Sequence, residues 1–242
     1  MSGLLTGVLN QVDDTITAMV ERIARARAGD SGAKLVLLDV GCWDGAHTER
    51  YARLLGAEAR GVEIFAARAR EAEARGIEVA RLDLESGRFP WPDASVDVVV
   101  SNQVFEHVKN VWRPMTEIHR VLRPGGQLIL SVPNLGSLHN RVLMALGRQP
   151  TSIRTLGPHV RGYTFGEIQR FITLDGAFTI EEARGVGFYP FPVPMANPFA
   201  ALWRGAAHTT LVRARKQGAR AESPWEAWYR REREMGLQSS FE

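Results

Sequence analysis

The chain has a single cysteine, Cys42, among 242 residues. It cannot close an internal disulfide, so cross-links do not hold this fold together. Long apolar runs are missing too. None reaches the roughly 18–20 residues needed to cross a bilayer. The start, Met1-Ser2-Gly3-Leu4-Leu5-Thr6-Gly7, lacks a basic stretch ahead of an apolar one, so no secretory signal is expected. These three absences point to the cytoplasm. Lysine occurs only at 34, 109 and 216, and the preference for arginine reads as composition rather than as a binding signal. The six histidines stand at 47, 107, 119, 139, 159 and 208. Their spacing matches no zinc or catechol-type site, so no metal is expected.

What is present suits one medium domain with appendages. Hydrophobic residues make up 45% and charged residues 24%, enough apolar material for a sizeable core. The net charge of +3 is unevenly spread: residues 204–233 hold eight Arg/Lys against three Asp/Glu, leaving 22 against 24 elsewhere. That basic end could meet an anionic substrate, a membrane surface or nucleic acid, and a solvated surface is the plainer account.

Residues 4–27 read as an amphipathic helix, with Leu5, Val8, Leu9, Val12, Ile16, Met19, Val20 and Ile23 at three- and four-residue spacing. Gly29-Asp30-Ser31-Gly32 stops it. Five strands follow at 34–40, 59–64, 77–84, 96–101 and 127–132, with helices at 47–55, 65–75 and 111–122 between them. The short, continuously apolar runs suit strands buried on both faces of a parallel sheet. Alternating strands and helices imply helices on both sides of that sheet. Later come a helix at 135–146, a loop at 148–161, a helix opened by the capping box Thr164-Phe165-Gly166-Glu167, and strands at 178–182 and 208–214. Between those strands lies the proline-rich apolar segment 187–203. A helix is expected from Pro224 to Met235.

The stretch Leu37-Leu38-Asp39-Val40-Gly41-Cys42-Trp43-Asp44-Gly45 ends a strand in an acid and turns through close glycines. Such a turn lets the backbone approach a nucleotide-like ligand. A dinucleotide fingerprint would need glycine where Trp43 stands, so that reading fails. The pattern instead resembles motif I of class I S-adenosylmethionine (SAM)-dependent methyltransferases, acid-x-Gly-x-Gly-x-Gly, with Trp43 in place of the middle glycine. Ser101-Asn102-Gln103-Val104-Phe105-Glu106-His107-Val108 and Leu122-Arg123-Pro124-Gly125-Gly126-Gln127 add to the likeness, which covers residues 37–134. The small bacterial small-molecule enzymes are the nearest type.

The resemblance implies a doubly wound α/β fold: a mostly parallel seven-stranded sheet, Rossmann-like, with helices on both faces and a closing antiparallel hairpin. It implies an N-terminal helical segment (1–30), a SAM-binding domain (31–216) with substrate-covering insertions near 135–165 and 188–205, and a polar C-terminal tail or helix (217–242). It also implies a cofactor site. Asp39, Gly41, Cys42, Trp43 and Gly45 would surround the methionine arm. Glu63 stands where an acceptor for the ribose hydroxyls belongs, with Ile64 beside it. Asp83 would take the adenine amine, with Leu84 on a ring nitrogen. Asn102 would lie beside the methionine arm, and Gln103 and Val104 near the adenine or sulfonium. Trp43 either turns aside onto the first or N-terminal helix, or lines the site and reshapes it.

An oxygen nucleophile must lose its proton. His107, His159 and Tyr163 are the catalytic candidates, against a plain structural role for each. His139 and His208 are weaker ones, and Arg154 and Arg161 could recognise a carboxylate or phosphate, with a solvated surface the plainer account for each. The aromatics Phe188, Tyr189, Phe191, Phe199 and Trp203 with their prolines could cover a substrate, touch a membrane, join a second copy as a homodimer, or simply pack the last hairpin. The expected reaction is methyl transfer from SAM to O or N of a small, hydrophobic or aromatic-bearing molecule. Nucleic-acid or protein methylation is the alternative, but no Asn/Asp-Pro-Pro-Tyr motif or RNA-binding module supports it, and no nucleic acid is expected as partner. A non-catalytic SAM-binding protein and a NAD(P) oxidoreductase are the remaining readings.

Overall fold

Runs of valine, leucine and isoleucine become the centre of one sheet because both faces of each run are covered. The structure, a computed structural model, describes residues 2–27, 34–189, 191, 193–218 and 222–234. The elements are α1 (Ser2–Ala26), β1 (Val36–Val40), α2 (Ala46–Leu55), β2 (Glu58–Val62), α3 (Ala66–Glu73), β3 (Glu78–Ala80), β4 (Val96–Asn102), α4 (Trp112–Val121), β5 (Leu122–Pro133), α5 (Leu138–Ala145), α6 (Phe165–Ile172), β6 (Phe178–Val186), α7 (Val193–Leu202), β7 (Thr209–Lys216) and α8 (Pro224–Glu234). The seven strands lie in the order β3-β2-β1-β4-β5-β7-β6. All neighbours from β3 to β5 pair in parallel, and β7 runs antiparallel to both β5 and β6. The expected architecture is therefore present, closing hairpin included.

Side chains alternate between two cores. Leu38, Val99, Leu128 and Leu130 face α4, α6 and α8, where Trp225 is fully buried and donates its indole N–H to the Phe171 carbonyl at 2.8 Å. Leu37, Val98, Val100 and Ile129 face α1 and α2, with Val12, Ile16, Met19, Val20 and Ile23 of α1 buried among them. Both terminal helices thus pack into the same body. Burying each such side chain is worth about 1.5–3 kcal/mol.

Two sequence expectations change. The third strand, expected over 77–84, holds only Glu78–Ala80, because Asp83 turns the chain: its carboxylate accepts from the Glu85 amide and its carbonyl from Gly87. The proline-rich segment, for which no helix is expected from the sequence, contains one. Residues 193–202 form α7 with Pro198 inside it, and Phe188, Phe191 and Phe199 gather on one another at centroid distances of 5.2–6.5 Å. The helix stop at 29–32, Pro190, Pro192 and the helix end at Met235 lie outside the described residues.

Candidate active site

The carboxyl ends of β1, β2, β3 and β4 share one rim of the sheet, where open α/β sheets take their ligands. The turn after β1 is built around its glycines. Gly41 has φ +82°, and a Cβ there would meet Val104 Cγ2 at 2.5 Å. Gly45 has φ +78°, and its Cβ would strike Ile77 and Ala72 of α3 at 2.5–2.9 Å. The Gly41 and Cys42 amides both donate to the Val62 carbonyl, at 2.9 and 3.1 Å, which draws the turn against β2. Cys42 is buried behind the turn against Gly61, and burial raises its thiol pKa.

Two acids stand buried at this rim, each 5% exposed. Asp39 accepts from Thr48 Oγ1 at 2.5 Å; burial pushes its pKa up to about 6, against the lowering effect of that bond. Glu63 is aimed by two backbone amides, Trp43 N–H at 3.0 Å and Phe65 N–H at 2.8 Å. Each oxygen accepts one of these bonds, which fixes the carboxylate while lone pairs remain for a ligand. Ile64 beside it is exposed. Asp83 sits on the same rim beyond β3, exposed, with Leu84 half-buried. Asn102 accepts from Ser131 Oγ and donates to Asp13 Oδ1 at 3.0 Å. Gln103 takes φ +56° and donates its backbone amide to the Ser131 carbonyl and its side-chain amide to Ser131 Oγ, both at 3.1 Å.

Trp43 is corrected in one respect. Its indole packs on neither the first helix nor α1. It lies over Phe65 (6.2 Å, edge-on) and under the Arg68 guanidinium (4.5 Å), half exposed and away from the glycines. Its φ of +51° is a left-handed conformation that costs a residue with a Cβ about 1–2 kcal/mol. The middle-glycine backbone shape is therefore kept without the glycine.

Asp13 is the residue that the sequence reading missed. It projects from α1 to Asn102 and lies 3.5 Å from His47 of α2, with burial raising its pKa. The one signal was an acid pair, Asp13-Asp14, inside an apolar helix pattern.

A second grouping lies past β4. The His107 and His159 rings meet edge-on at 4.8 Å. Tyr163 is buried nearby, its hydroxyl donating to the Phe105 carbonyl at 3.2 Å, with burial raising its pKa. Of the three catalytic candidates, the two histidines therefore meet, and Tyr163 is tied to the backbone of Phe105, one residue before Glu106. The Val160 and Arg161 amides donate to the Glu106 carbonyl at 2.8 and 3.2 Å, and the Arg161 guanidinium donates to the Lys109 carbonyl. Burial, then His159, lowers the His107 pKa. The Glu106 carboxyl is 1% exposed with no hydrogen-bond partner on either oxygen, and burial pushes its pKa up to about 8. Away from this group, His139 stacks on His208 at 5.5 Å, and burial lowers the latter to about 4.

A family model described as a methyltransferase domain matches residues 38–130. A "probable S-adenosylmethionine-dependent methyltransferase" of Mycolicibacterium smegmatis is 30% identical over 215 residues, covering 85% of this chain and 71% of that one. Of other relatives, named uncharacterized methyltransferases of Mycolicibacterium and Mycobacterium strains, the chain spans about half the length. Among solved structures, an S-adenosylmethionine-dependent methyltransferase from Mesorhizobium loti aligns with TM-score 0.53 at 22% identity, covering 76% of this chain and 92% of that one. The [4+2]-cyclase SpnF aligns with TM-score 0.57 at 20% identity, covering 82% of both. These two likenesses show the fold alone.

Proposed function

This chain belongs to the SAM-dependent methyltransferases, and on that premise we propose that it methylates an oxygen or nitrogen of a small, hydrophobic or aromatic-bearing molecule at the rim above β1 and β4. The observation that carries the cofactor's place is the pair of buried acids, Asp39 and Glu63, flanking a glycine turn that tolerates no Cβ at 41 or 45. The donor set fits the cofactor's chemistry. Asp13, Asp39 and Glu63 supply negative charge toward an ammonium and a sulfonium, and Glu63 supplies acceptors toward ribose hydroxyls. Asp83 and the Leu84 amide are assigned to the adenine edge, and Gly41, Cys42, Gly45, Asn102, Gln103 and Val104 to the wall behind the methionine arm. Trp43 and Ile64 form the outer lip.

Bound SAM supplies a methyl group already activated by its sulfur. The protein's own work is then alignment and handling of the acceptor's proton, and positioning alone can supply on the order of several kcal/mol. His107, His159 and Tyr163 are the groups assigned to that proton. The exposed Phe199, Leu202 and Trp203 and the aromatic cluster beneath them support an apolar acceptor or a peripheral membrane contact. A neighbour that is a cyclase warns that this fold does not fix the reaction. The test is transfer of a labelled methyl from SAM to a panel of phenols, aromatic amines, sugars and nucleic acids. Label on the aromatic compounds supports the reading. Label on nucleic acid alone, or on nothing, removes it.

A further inference from the structure

We propose that Glu106, His107 and His159 form a binding site for a first-row divalent cation, zinc or manganese in chemical type. One donor atom from each residue lies within 4.8 Å of the other two. A tetrahedral ion would draw such atoms to about 3.4 Å of one another, a closure that side-chain rotation can supply.

Three further observations point the same way. The Glu106 carboxyl is all but sealed from solvent and neither oxygen has a partner, an arrangement that costs free energy unless something cationic answers it. Both imidazoles are held from behind: His107 Nδ1 lies 3.3 Å from the Pro158 carbonyl, and His159 Nδ1 lies 2.9 Å from the Ser152 carbonyl. A carbonyl can only accept, so each ring carries its proton on Nδ1 and keeps the Nε2 lone pair. That is how metal-bound histidines are oriented. Finally, the loop bearing His159 is fastened to the Glu106 backbone itself through the Val160 and Arg161 amides, so the approach of the two histidines is built into the fold.

Two nitrogens and one carboxylate suit zinc, manganese or iron(II). Calcium and magnesium prefer oxygen alone. Three protein donors leave coordination positions for an outside ligand, as in catalytic rather than structural sites. An oxygen of the methyl acceptor is the natural occupant, and with an ion bound its proton is made easier to lose by the ion rather than taken by the two histidines. That use rests on the methyltransferase reading; the site's existence does not.

The experiment uses the untagged full chain, stripped with chelator and dialysed. Zn²⁺, Mn²⁺ and Mg²⁺ are titrated by calorimetry, Co²⁺ by visible absorption, and SAM is titrated in parallel. The expected result is one ion per chain with a cobalt absorption band. His159→Ala and Glu106→Gln should each weaken Zn²⁺ binding about 100-fold while SAM affinity stays within twofold, which also shows that the variants fold. No uptake by folded wild type, equal uptake by the variants, or tighter binding of Mg²⁺ than Zn²⁺ overturns the proposal. Zinc binding without SAM binding would keep the site and remove the cofactor reading.

Discussion

The two halves of the rim solve the burial of acids differently. At the ends of β1 and β2, Asp39 and Glu63 are buried with partners: the Thr48 hydroxyl for one, and the Trp43 and Phe65 amides for the other. Past β4, Glu106 is buried with none. The first half is a preformed cradle, whose polar groups are aimed before a ligand arrives. The second is a site with unmet demand, held in place from the 157–163 loop by the Val160 and Arg161 amides on the Glu106 carbonyl. A cradle should lose its ligand when its shape is changed. A site under strain should gain stability when its charge is removed.

The largest effect is expected at the cradle. Gly41→Ala sets a Cβ 2.5 Å from Val104 Cγ2 at a backbone angle that alanine resists. SAM affinity should fall at least 100-fold by calorimetry, and an unchanged affinity would show that the turn is not where the cofactor meets the backbone.

The second half is tested by Glu106→Gln in chelator-treated buffer. The folded carboxyl keeps its proton up to about pH 8, whereas the unfolded chain releases it near the ordinary 4.5. Unfolding therefore releases a proton between those values, and wild-type stability falls as pH rises through that window. Glutamine cannot ionise, so the variant should lack the decline and exceed wild type at pH 8.5 by on the order of 2–4 kcal/mol in denaturant unfolding. Parallel stability profiles for the two proteins would mean that Glu106 has partners in solution.

The smallest effect belongs to Trp43→Gly. The indole lies on Phe65 and Arg68, and glycine adopts the same positive φ without strain. SAM affinity should change less than threefold. A large gain would place the indole over the cofactor site.

The same contrast governs what could be read from the sequence. The cradle was legible because its parts are local: an acid, glycines at fixed spacing, and a second acid one strand later. Sheet order and the closing hairpin came with the family likeness. Trp43 could be placed only by its left-handed backbone and by Arg68, neither of which shows in spacing. Asp13 was hidden because a helix pattern is read for its apolar face, and Asp13 works from the edge of that face. The Glu106-His107-His159 grouping was invisible because the second histidine arrives by a distant loop fastened to the Glu106 backbone. Histidine spacing gave no sign of a metal. The α7 helix was obscured by prolines, although Pro198 sits inside it.

The central claim is that the buried acids at the ends of β1 and β2 hold SAM. Its most direct measurement is calorimetric titration of SAM into wild type and Glu63→Gln at pH 7.5. Glu63→Gln keeps the side chain's shape while replacing a carboxylate that charge-assisted bonds should favour. The account predicts saturable binding to wild type at one site and at least a 30-fold weaker affinity for the variant. Equal affinity for the two, or no heat with wild type, would contradict it.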